Sequence, residues 1–176
     1  DVSLAAQRLM HQLAVLHSDT NCDGLLTPSD FADPILNDLL SELTAAGLIP
    51  TSGHAHLKPY PPVSTAIRNR LSPAVTSSLH FRVGCLIERK AICSDSPEYA
   101  REGARHLALG REGDRAASLL RAASLRQLAI GNSTVAADML SGAAKCAQSD
   151  RTKLLCIVEE VQARRLTGDW ERASAL

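Results

Sequence analysis

The sequence predicts a mainly α fold in two parts, a small helical head with a short β-hairpin and a longer array of paired helices. Three observations lead there. Aromatic residues are only 3% of the 176, so the core must be built from Leu, Ala, Val and Ile, which suits helices that approach closely. Asp114, Ser118 and Arg121 share one helical face and leave most of the rest to Ala and Leu. Beyond a break at Ile130-Gly131-Asn132, the residues Val135, Ala136, Met139, Leu140 and Ala143 recur at helical spacing. Finally, Gly131-Asn-Ser-Thr-Val-Ala136 is echoed by Gly168-Asp-Trp-Glu-Arg-Ala173, at a separation near that of a two-helix repeat. Helices with such small sides bury their apolar surface by stacking on similar pairs.

In chain order, residues 4–16 read as an amphipathic helix, with Leu9, Leu13 and Leu16 on one face. A polar loop follows over 18–26. Thr27-Pro28-Ser29-Asp30 is a helix start, with a capping Thr and Pro at the first helical position. Pro34 then restarts the pattern, because it cannot sit inside a helix already under way. The helix over 34–46 carries Ile35, Leu36, Leu39, Leu40 and Leu43 on one side and ends at Gly47, a left-handed cap. Leu48-Ile49, the Thr51-Ser52-Gly53 turn and residues 54–57 resemble a short β-hairpin. Helix, short helix, helix, hairpin is the order of a winged helix, here residues 1–71.

Pro61-Pro62 introduces a helix to about Leu71, and Ser72-Pro73 opens another with Val75, Leu79, Val83 and Leu86 along one stripe. From Ser96-Pro97 onward the chain reads as helix and short turn, a tetratricopeptide-like array over 72–176. Asn132, Ser149 and Asp169 are expected N-caps, and Gly110, Gly131 and Gly168 expected stops. The chain opens at Asp1 without a methionine and closes inside a helical pattern at Arg172-Ala-Ser-Ala-Leu176. The reading is therefore an excised piece, its array truncated at the C-terminus.

Formal net charge is zero, which removes the bulk attraction expected of a nucleic-acid or anionic-membrane binder. No apolar run approaches the length of a membrane span, about 20 residues. Five cysteines (Cys22, Cys85, Cys93, Cys146, Cys156) are scattered and never form a C-x-x-C pair. Isolated buried thiols in a reducing cytoplasm are the expectation.

Taken together, these landmarks resemble a known family. Residues 36–176 look like the middle of the large LuxR-family (LAL-type) transcriptional regulators, signal-transducing ATPases with numerous domains. The likeness lies in Leu43-Thr-Ala-Ala-Gly47-Leu-Ile, Ala66-Ile67, Leu71-Ser-Pro73, Leu79-His80, Ala104-Arg-His106-Leu107, Ala122-Ala123, Ala136-Ala137 and Leu166-Thr-Gly168-Asp169. The resemblance implies a winged helix coupled to an ATPase that uses ATP/ADP outside this chain. It also implies an array that binds an effector, a protein partner or another copy of itself, with DNA contacted only by a terminal module elsewhere. Members usually carry a His-Pro pair before the helix that begins here near Val63, and that His is implied to sit near the nucleotide phosphate. The matching pair here is Tyr60-Pro61, with His54 and His56 close in sequence. No G-x-x-x-x-G-K-[ST] loop is present, so this stretch has no phosphate cradle of that kind.

The sharpest local motif spans 19–30. Asp19, Asn21, Asp23, Gly24 and Leu26 match an EF-hand loop at ligand positions 1, 3 and 5, the turn glycine and the apolar eighth position. Asp30 stands where a longer Glu would give bidentate reach, and Pro34 follows at once. A calcium-responsive module is thus the alternative to a solvated turn.

His80 and His106 lie in helical patterns without a carboxylate or thiol at metal-ligand spacing, and read as ordinary hydrogen-bonded histidines. His54 and His56 share one face of the hairpin, too few to make a metal site. Arg101 with Arg105, and Arg111 with Arg115, fall one turn apart. They read as a solvated face offset by Glu98, Glu102 and Glu112, or as a docking face for an acidic partner. Trp170 is expected between repeat helices, or as an interface anchor. No residue set carries catalysis, so the expected function is non-enzymatic regulation.

Overall fold

The computed structural model describes residues 2–16, 36–50, 59–94 and 96–175. Among them are nine helices and no strand: α1 (Leu4–Leu16), α2 (Leu36–Ala45), α3 (Pro61–Arg70), α4 (Pro73–Cys93), α5 (Pro97–Leu109), α6 (Gly113–Ala129), α7 (Ser133–Cys146), α8 (Asp150–Thr167) and α9 (Trp170–Ser174). Leu48-Ile49, the expected first strand of the hairpin, forms a bend and no strand; the rest of the hairpin over 51–57 and the loop at 19–30 lie outside the described residues, as do His54, His56 and Cys22.

Local chemistry sets the helix ends. Prolines occupy the first turn of α3, α4 and α5, where the missing N–H costs no helical bond. The hydroxyls of Ser72 and Ser149 accept from the backbone N–H of Val75 and Thr152, and the Asp169 carboxylate accepts from that of Arg172. Asn132 stands at the start of α7, but its amide donates to Gln127 Oε1 (3.0 Å) instead of capping the helix.

Helices α2, α5, α6 and α8 end in the same double bond. Around residues 47, 111, 131 and 168, one N–H returns three residues and the next returns five, as in Glu112 to Leu107 (2.9 Å) and Asn132 to Gln127 (2.8 Å). Gly47, Gly131 and Gly168 hold the left-handed position as expected. After α5 that position belongs to Arg111 (φ 69°), not Gly110. Gly110 is small for another reason. A Cβ on it would lie 2.8 Å from the backbone N and Cα of Phe81 in α4.

From α4 onward each helix packs chiefly on its chain neighbours. Gly84 meets Leu107, and Gly103 meets Ile87 and Glu88, so α4 and α5 run antiparallel. The array core holds Ala91, Ala100, Ala104, Leu107, Ala116, Ala117, Leu119, Leu120, Ala123, Met139, Ala143 and Cys156. Leu and Ala dominate it, as the shortage of aromatics requires. In the head, Ala6, Leu9, Met10 and Leu13 of α1 pack with Leu39, Leu40, Leu43 and Ile49, and Ser3 bonds through its N–H and hydroxyl to the Glu42 carboxylate. Leu16, one turn beyond Leu13, faces Val83 and Ile87 of α4 instead.

Several expectations need correction. The α4 stripe is Leu79, Val83 and Ile87 on the α1 side and His80, Gly84, Ile87 and Ala91 towards α5, whereas Val75 is exposed. Trp170 is 60% exposed and lies under the Arg165 guanidinium (5.4 Å to the ring centre), not between helices. Among the described residues no helix is long and apolar enough to cross a membrane.

Candidate functional site

The polar face of α6 stays partly open to solvent, yet its side chains reach other helices. Asp114 accepts from the backbone N–H of Gln148 (2.9 Å) and Ser149 (3.0 Å) at the α7–α8 turn, and these bonds hold its carboxyl below the usual range. Arg115 bonds Glu88 on α4 (2.5 Å), and Arg126 donates to the Ala91 carbonyl (3.0 Å). Arg121 pairs with Glu159 on α8 (2.7 Å). Arginines expected on a water-facing surface therefore tie α4, α6 and α8 into one layer. Arg111 and Arg115 do not share a helix, because the turn falls between them.

The opposite layer, α5 and α7, is tied far less. Between these two helices runs a groove of about 570 Å³, floored by Leu120 of α6. Its α5 wall presents Arg101, Ala104, Arg105 and Ala108, and its α7 wall Asp138, Met139, Gly142 and Cys146. The lining is thus mostly apolar with a few charged groups at the lips, the usual make-up of a small-ligand or peptide site. Gly142 keeps the groove open: a Cβ there would meet only Leu120, at 3.5 Å.

Behind the α5 wall lies a buried polar cluster. His80 and His106 face each other through Nδ1 atoms 2.9 Å apart, so one ring donates and the other accepts across the α4–α5 seam. His106 Nε2 is 3.1 Å from Glu102 Oε1 and 3.0 Å from Arg105 Nη2, and Arg105 also bonds Glu102 (2.6 Å). A proton on Nε2 of His106 serves Glu102 and leaves Nδ1 to accept from His80, whereas a bare Nε2 accepts from Arg105 and leaves Nδ1 to donate to His80. Loss of water pushes the His106 pKa down, Glu102 opposes the shift, and Arg105 adds to it.

The two histidines were expected to be hydrogen-bonded singly, and the structure brings them together. Glu102 was read only as an offset to the arginines, although it lies one turn before His106, a spacing that places both on one face. The two ring nitrogens of His106 point to different partners, and among the described residues no three His, Cys, Asp or Glu side chains gather to hold a metal.

Cysteine chemistry finds little support. Burial raises the thiol pKa of Cys85, Cys146 and Cys156, the reverse of what an attacking thiolate needs. Cys156 is buried as expected, Cys85 and Cys146 are half-buried, and Cys93 is exposed. No family model, curated protein or solved structure matches this chain.

Proposed function

We propose that the chain is a non-enzymatic regulatory and interaction module of the kind found in the middle of LuxR-family (LAL-type) regulators. On this reading an effector or a partner segment occupies the α5–α7 groove, while ATP hydrolysis and DNA binding belong to modules outside these residues. The observation that carries it is the unequal bonding of the two helix layers. Cross-helix arginines fasten α4, α6 and α8, and the facing layer keeps an apolar groove with charged lips. A ligand there has a regulatory effect only by preferring one packing of the array over another.

Screening small-molecule and peptide mixtures by amide chemical shifts tests the reading, with a Gly142→Leu variant as the control. Leu at 142 fills the groove and also improves helix propensity, so the variant should stay folded. Ligands should perturb α5 and α7 together and lose that effect in the variant. Ligands that bind both proteins alike, or selection of a specific duplex sequence by this chain from a random DNA pool, would overturn the assignment.

A further inference from the structure

A second concavity, of about 220 Å³, lies where α1 meets α4, well away from the groove in sequence. Arg8 and His11 reach it from α1, and Ser78 and Arg82 from α4. Each pair is one helical turn apart, so on each helix both side chains share a face. Val75 and Leu79 supply an apolar wall on the α4 side.

The lining of this pocket carries cationic side chains from two helices. Arg105, Arg115, Arg121 and Arg164 are each bonded to a glutamate. Among the described residues Arg8 and Arg82 have no such partner and no acidic side chain lines the pocket. Two guanidiniums and an imidazole from different helices are thus gathered in one small space inside a chain of zero net charge. The two guanidiniums repel one another unless an anion sits between them.

We propose that this pocket binds a phosphate group, free or as a monoester. The donors come from two helices and from three kinds of side chain, so they approach an anion from several directions. A phosphate offers three terminal oxygens to such a set, whereas a carboxylate offers two in one plane. Guanidinium forks match phosphate edges with paired bonds. The Ser78 hydroxyl adds a donor, and the Val75–Leu79 wall gives the organic part of an ester an apolar surface. A bound phosphate bridges α1 and α4 and so favours their contact.

Titration calorimetry on the whole chain with inorganic phosphate, phenyl phosphate and phenyl sulfate tests this. Phenyl phosphate should saturate one site and bind about tenfold more tightly than phenyl sulfate, which has the same shape but one charge fewer. Arg8→Gln and Arg82→Gln, both at exposed positions, should each weaken it about tenfold with unchanged melting temperature. Inorganic phosphate binding as tightly as the ester would assign the site to free phosphate, and weaker binding would assign it to an ester. Both outcomes uphold the proposal. Equal affinity for sulfate and phosphate esters, undiminished binding by either variant, or no saturation with either phosphate would overturn it. The groove is untouched by these variants, so neither result bears on the role given to α5 and α7.

Discussion

Replacing Gly84 by alanine tests how closely α4 and α5 are pressed together. Gly84 lies inside α4, where alanine is favoured over glycine by about 1 kcal/mol in an open helix. The neighbouring helix reverses that preference. A Cβ at 84 would lie 2.9 Å from the backbone N of Leu107 and 3.0 Å from its Cγ and Cδ2. A backbone atom cannot rotate away, so the two helices must part, and they carry Ile87, Ala91, Ala104 and Leu107 with them. Overpacking of this kind costs about 1–3 kcal/mol, and less the propensity gain a net loss of up to about 2 kcal/mol remains. Gly142→Ala supplies the opposite case. There the new methyl meets only Leu120 Cδ1 at 3.5 Å, so the helix gains about 0.5–1 kcal/mol. Urea unfolding followed by far-ultraviolet circular dichroism compares the two variants at matched slopes. Gly84→Ala should fall below the parent and Gly142→Ala above it, a spread of about 2 kcal/mol. Equal midpoints for the two variants would show that α4 and α5 do not approach as described.

The remaining predictions concern protons and calcium. His106 is buried among His80, Glu102 and Arg105, and its pKa lies below the ordinary value chiefly through lost hydration. An unfolded histidine titrates near about 6.5, so on acidification the unfolded chain takes up the proton first. Stability from this group is complete above about pH 6.5 and falls as the pH drops towards the native value, by at most about 1.4 kcal/mol per pH unit. Urea midpoints should therefore decline between about pH 7 and 5.5, with a gentler slope in His106→Gln, and equal slopes would refute the account. Calcium titration followed by emission of the single tryptophan, Trp170, should produce no shift at millimolar concentration. A saturable shift would support the calcium-responsive reading of residues 19–30.

Much of the helix order was legible because it depends on near neighbours. Ser72-Pro73 and Ser96-Pro97 start helices through the fixed φ of proline, and Gly131 and Gly168 stop them through a backbone conformation that other residues adopt at a cost. Leu9, Leu13 and Leu16 are buried where periodicity placed them. What depends on pairs distant in the chain was not legible. Arg121 and Glu159 are 38 residues apart, and nothing local says that the polar side of α6 faces another helix. The same holds for His80 and His106. Each looked unremarkable alone, and only the close crossing allowed by Gly84 and Gly103 brings their rings together. Gly110 does mark the end of α5, but its smallness also serves Phe81 on another helix, which no local pattern could show.

Helix α1 gives the two candidate binding regions a physical connection. Its residues Ala6, Leu9, Met10 and Leu13 belong to the head, yet Leu16 packs on Val83 and Ile87 of α4. The far side of α4 meets α5 at Gly84, and α5 forms one wall of the groove. A ligand beside Arg101 and Arg105 reaches the head only by altering how α5 sits on α4 and how α4 sits on α1. The phosphate pocket bridges that second contact directly. If each ligand prefers one packing of α1 on α4, the two sites must alter each other's affinity by the same factor, because linkage is reciprocal. The sign depends on the groove ligand. Phosphate favours the close contact of α1 and α4, so groove ligands that require this contact bind more tightly in its presence, and those that loosen it bind more weakly.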